Sequence, residues 1–111
     1  MTDKVIALST CGTREDAMRI ARRLVEVRLA ACVNIVPNVT SIYRWQGAIE
    51  ESAEWLLIIK TAAGLLENLK EELARIHPYE VPELVAVTIV DGAASYLNWL
   101  TGELDTGNDV A

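Results

Sequence analysis

One histidine, His77, opens the run His77-Pro78-Tyr79-Glu80-Val81-Pro82-Glu83, which gathers an imidazole, a phenol and two carboxylates in a short span. An imidazole beside carboxylates suits Cu(II) or Zn(II), and a thiolate suits Cu(I). The prolines stiffen the run. Each fixes its own φ, and each disfavours helix at the residue before it, here His77 and Val81. The polar side chains are therefore offered in a set order. A plainer role for His77 is to sit at a helix C-terminus, where partial positive charge is favoured. Glu80 and Glu83 could supply oxygen ligands or simply face water.

The other reactive groups are sparse. Cys11 and Cys32 form no CxxC pair, so one chain lacks the ligands for a structural zinc or iron–sulfur site. Both lie in apolar, strand-like context and read as buried free thiols of a reducing compartment. Cys11, at a strand end, is expected to be the more exposed. Ser9, Thr10 and Cys11 are candidate nucleophiles, but a single histidine must serve any triad. There is no GxxxxGKS phosphate loop, and Gly12-Thr13 alone is too weak a signal for one. A non-enzyme is the expectation, with no catalytic residue and no obligatory cofactor.

Composition narrows the partners. The net charge is −6 and the basic residues form no run, which argues against nucleic acid and against an anionic membrane surface. No apolar stretch approaches the ~20 residues of a membrane span. Met1 leads through a short polar stretch into Val5-Ile6-Ala7-Leu8 without a signal-peptide pattern, so a cytoplasmic location is expected. The aromatic set is three Trp and three Tyr with no Phe, so every aromatic carries a polar handle suited to half-buried contacts.

The elements that must position these groups follow from periodicity. Residues 4–11 read as a buried strand. Thr13 is an N-cap for a helix over about 14–28, with Ala17, Ile20, Ala21, Leu24 and Val25 on one face. Residues 30–45 read as a strand interrupted at Pro37-Asn38, where a bulge or bend and a positive φ at Asn38 are expected. Gln46-Gly47 is a two-residue hairpin turn, and 48–61 the returning strand. A second helix spans roughly 63–76 and stops before Pro78. Leu84 to Val90 reads as a buried strand, Tyr96 to Leu100 as part of a short third helix, and the tail from Asp105 as frayed. The result is one domain over 1–111, ordered over about 4–102. Its class is α+β: a ferredoxin-like β-α-β-β-α-β sandwich with an antiparallel sheet, a long central hairpin and a short C-terminal helix.

The hairpin is long for its domain. Arms of this length at ~3.3 Å per residue reach roughly 45–50 Å. A compact domain of this size has a radius of gyration near ~13 Å, roughly 35 Å across. The hairpin must bend or overhang, exposing Tyr43, Trp45 and Ile49. Exposed edges and apolar groups of this kind call for a second chain, so a closed homo-oligomer is expected.

The runs LAACVNIVPNVTSIYRWQG (29–47), EWLLIIKT (54–61), HPYEVPE (77–83) and YLNWL (96–100) together resemble the CutA family of divalent cation tolerance proteins. The resemblance covers about residues 4–102. It implies a ferredoxin-like subunit, a tight homotrimer built through the hairpins, a cytoplasmic location and a link to tolerance of copper and other divalent metals. It also implies similarity of the trimer to PII signalling proteins, an association with acetylcholinesterase anchoring in animals, and no family-wide catalysis. Two departures stand out. Some members carry a thiol where this chain has Ser9, and a second histidine where it has Ile76. Of the proposed copper ligands only His77 carries over, with Cys11 as a substitute thiol and Glu80 as an oxygen donor. A cleft between subunits lined by Tyr43, Trp45, Lys60, Tyr79, Glu83 and Trp99 would bind a small ligand, or those residues would only pack. Two functions follow: a trimer that binds divalent metal and supports metal homeostasis, or a PII-like signalling or scaffold trimer with a small ligand or protein partner in its clefts.

Overall fold

Alternation along the first strand decides the layout. In the computed structural model, which describes residues 2–105, β1 (Lys4–Cys11) sends Val5, Ala7, Ser9 and Cys11 into a core and Ile6 and Leu8 to the opposite face. The Thr13 hydroxyl accepts from the Asp16 N–H at 3.1 Å and starts α1 (Arg14–Glu26), with Glu15 and Asp16 at the positive end of the helix dipole. Ala17, Ile20, Ala21 and Leu24 form its buried stripe. The helix ends two residues before the expected 28, because Arg28 takes φ 62° and the Leu29 and Ala30 N–H groups both turn back to the Leu24 carbonyl.

β2 (Cys32–Trp45) and β3 (Ala48–Ala62) form the hairpin. Their register slips between Val36 and Val39, and Asn38 sits at φ 64°, the bulge and positive φ that Pro37-Asn38 predicts. Gln46 and Gly47 close the turn at φ 50° and 83°. A 3₁₀ turn at Ala63–Leu65 leads into α2 (Leu66–Ile76), so the second helix is two pieces rather than one from 63. β4 (Val85–Thr88) and α3 (Ala94–Glu103) complete the chain.

The sheet order is β2-β3-β1-β4 with every neighbour antiparallel, the ferredoxin-like arrangement. α1 and α2 cover one face. There Ala7, Leu57 and Ile59 meet Ile20, Leu24, Leu69 and Leu73 in one cluster. α3 builds a smaller cluster from Ala31, Leu100 and Leu104. The Asp105 N–H donates to the Arg28 carbonyl at 2.9 Å, so the chain is tied down as far as Asp105. The rest of the tail read as frayed lies outside the described residues. Along its longest axis the subunit measures 48 Å, and its Cα radius of gyration is 14.8 Å, the elongation the hairpin length requires.

β4 corrects one expectation. It is not buried: Val85 and Val87 are 54% and 53% exposed. They pair with Leu8 and Ile6 and share the face opposite the helices, and Ala86 and Thr88 are exposed as well, so the strand has little cover among the described residues.

Candidate functional site

Three segments meet at one end of the sheet: the end of β1, the outer half of the hairpin, and the connector after α2. Pro78 forces His77 into extended backbone (φ −79°, ψ 137°), which stops α2 and turns the imidazole toward β1. The His77 N–H still caps the helix by donating to the Leu73 carbonyl at 2.8 Å. The buried ring is fully engaged. Its Nδ1 accepts the Tyr79 N–H at 3.0 Å, which leaves the proton on Nε2, and Nε2–H donates to the Thr10 carbonyl at 2.8 Å. His77 thus clasps α2 to β1 as a neutral imidazole with no free nitrogen for a metal.

The clasp aims the next aromatic. Tyr79 lies against the His77 ring with centroids 4.7 Å apart, and its hydroxyl donates to Glu54 Oε2 at 2.7 Å. Burial, the hydrogen bond to Glu54 and that residue's charge hold the Tyr79 phenol well above the usual tyrosine range. Glu54 is only 7% exposed. Gly12 leaves room for this pair, since a Cβ there would lie 3.2 Å from the Tyr79 hydroxyl. Beyond it opens a cleft of about 710 Å³. Tyr79, Glu80 and Glu83 line it from the connector, Tyr43 and Trp45 from the hairpin, and Glu54 forms part of its wall. The Tyr43 and Ser52 hydroxyls lie 2.8 Å apart across the hairpin.

The expected residues divide. Tyr43, Trp45, Tyr79, Glu80 and Glu83 share this cleft, whereas Lys60 and Trp99 do not line it. Lys60 pairs in register with Ile6 and Cys32 on the open sheet face, its Nζ 5.8 Å from the Tyr96 ring centroid. Trp99 stacks on Tyr96 at 5.7 Å, so these three form a separate patch by α3. The thiols reverse the expected exposures. Cys11 is buried in the core and Cys32 is half-buried. Parity explains it, because Cys11 falls on the helix-covered face and Cys32 on the open one. Burial first, then the charges of Asp16 and Glu54, push the Cys11 thiol up to about 11, which disfavours the thiolate a metal requires. Within one chain His77, Cys11 and Glu80 are therefore not brought together as a ligand set, and among the described residues no group of three or more His, Cys, Asp or Glu is placed to hold a metal ion. Sequence reasoning missed Glu54. Its only signal was a carboxylate heading an apolar strand, and its partner lies 25 residues away.

The family model described as CutA1 divalent ion tolerance protein matches residues 5–103. The chain belongs to the CutA family. A curated CutA relative, the "Divalent-cation tolerance protein CutA" of Thermus thermophilus, is 53% identical over 95 residues, covering 86% of this chain and 92% of the relative. The mouse "Protein CutA" is 48% identical over 85% of this chain, which spans 53% of that longer protein. Among solved structures, CutA from Xylella fastidiosa superposes with a TM-score of 0.91 at 42% identity, covering 94% of this chain and 100% of that one. Within the CutA fold, the Ser9 hydroxyl is buried with no hydrogen-bond partner among the described residues.

Proposed function

We propose that this CutA-family chain is a non-catalytic homotrimer that contributes to divalent metal tolerance. One observation carries the oligomer: among the described residues no layer covers a sheet face on which Val85 and Val87 are 54% and 53% exposed and Ile6, Leu8, Leu56 and Ile58 half-buried, beside a hairpin whose Ile42 and Ile49 are 70% and 69% exposed. A cyclic trimer through this face and the hairpins would bury both. Relatives named as divalent-cation tolerance proteins support the metal reading. With His77 and Cys11 engaged within the subunit, copper or another divalent ion would be held by carboxylates such as Glu80 and Glu83 together with groups from neighbouring copies. Two free thiols support a reducing, cytoplasmic setting.

A second reading is favoured by the cleft itself. Its volume falls within the ~300–1,000 Å³ of small-molecule sites, as a PII-like signalling or scaffold trimer with a small ligand would require. Sedimentation and Cu(II) calorimetry separate these claims. Wild type should sediment as a trimer at micromolar concentration and Val87→Lys as a folded monomer; a monomeric wild type defeats the oligomer. Copper heats unchanged in Glu80→Gln/Glu83→Gln would remove the metal reading and leave the cleft reading standing.

A further inference from the structure

We propose that His77 is a pH-operated latch on the connector 78–83, closed while the imidazole is neutral and opened when the ring takes up a proton. The latch needs neither the trimer, nor a metal, nor a ligand in the cleft. Its basis is the direction of two hydrogen bonds on one buried ring. A backbone N–H can only donate, so the 3.0 Å bond from the Tyr79 N–H requires a lone pair on Nδ1. Nε2 then carries the proton and donates it to the Thr10 carbonyl at 2.8 Å. An imidazolium has an N–H on both nitrogens and no acceptor. Protonated in place, the ring would set its Nδ1–H against the Tyr79 N–H, at a side chain buried from water.

The connector has little else to hold it. Among the described residues two hydrogen bonds fasten residues 78–83, and both run through Tyr79: its N–H to His77 and its hydroxyl to Glu54. Protonation removes the first. Turning the ring away also removes the Tyr79 stacking contact, so the phenol is free to leave Glu54 and Gly12. The surrounding charges do not replace the lost acceptor. Asp16 of α1 is near enough to feel the imidazole, but its carboxylate is paired with Arg19 at 3.1 Å, and Arg19 also donates to the Ile76 carbonyl. Glu72 and Arg75 of α2 are paired with each other, and Glu72 also with Arg23. On β1 the Cys11 thiol is directed to the Thr13 carbonyl, Glu54 of β3 accepts from Tyr79, and Glu80 of the connector is exposed.

Amide hydrogen exchange by NMR on the full chain, with a chelator present and between about pH 5 and 8, tests this. The chain has one histidine, so no other side chain ordinarily titrates in that range. Opening takes up one proton. Once intrinsic exchange is corrected for, Tyr79 N–H protection should therefore fall about tenfold per pH unit below the ~6.5 of an ordinary imidazole. The Ile89 N–H, which donates to the Lys4 carbonyl, should keep its protection throughout. In His77→Asn the side-chain oxygen can accept the N–H two residues on, as in an Asx-turn, without titrating, so Tyr79 protection should not change with pH. If that variant fails to fold, the ring ¹⁵N spectrum of the wild type decides: Nδ1 should gain its proton in step with the loss of Tyr79 protection. Tyr79 protection that is flat in wild type, that falls equally in His77→Asn, or that survives a protonated Nδ1 overturns the latch. So does a parallel loss at Ile89, which would mark opening of the whole fold.

Discussion

The two faces of one sheet differ in completeness. On the helix-covered face Ala7, Leu57 and Ile59 are fully buried among α1 and α2 side chains. On the opposite face Val36, Val85 and Val87 are between 37% and 54% exposed, although the same strands contribute equally apolar residues to it. Both faces obey the same period of two, so the sequence pattern marks both as interior. One is interior to the chain. The other becomes interior only when another surface covers it, which is why β1 and the Trp55–Ile59 part of β3 read as apolar runs rather than clean alternations.

The largest test of this contrast is paired truncation. Leu57→Ala, in the closed core, should lower stability by about 2–5 kcal/mol in urea unfolding, through lost transfer energy and a cavity. Val87→Ala should cost no more than about 1 kcal/mol at dilutions where subunits are apart, with a loss that grows as protein concentration rises and association contributes. Equal, concentration-independent losses at the two positions would break the comparison.

The thiols sharpen it on a smaller scale. At pH 8 a thiol at about 11 is ionised to only about one part in a thousand, so Cys11 should resist a disulfide reagent until the protein unfolds. Cys32, on the open face, should react in the dissociated Val87→Lys subunit and be shielded in the assembled wild type. Cys11 reacting first would contradict the assignment of faces. The smallest effect concerns Ser9. Its buried hydroxyl lacks a partner, so Ser9→Ala should be neutral or raise stability by up to about 1 kcal/mol in thermal unfolding. A clear loss of stability would mean that the hydroxyl does find a partner.

Much of the fold was legible because its signals are local. Thr13 as a cap, Asn38 at positive φ, the Gln46-Gly47 turn and the end of α2 before Pro78 each depend on a few adjacent residues. The site was legible in part. Tyr43, Trp45 and Tyr79 line one cleft within the chain, whereas the sequence reading placed them in a cleft between subunits. Lys60 and Trp99 lie outside this cleft because strand parity and the docking of α3, not composition, decide which face they occupy.

By itself the sequence determined the element order, the long hairpin, the family and the chemistry concentrated in residues 77–83. Those features follow from backbone stereochemistry and periodicity, which act over a few residues. Only the tertiary structure decided that His77 has both nitrogens engaged, that Cys11 rather than Cys32 is buried, and that Glu54 stands beneath Tyr79. Each of these joins groups far apart in the chain. Hydrogen bonds and burial across such distances exist only once the sheet register is set.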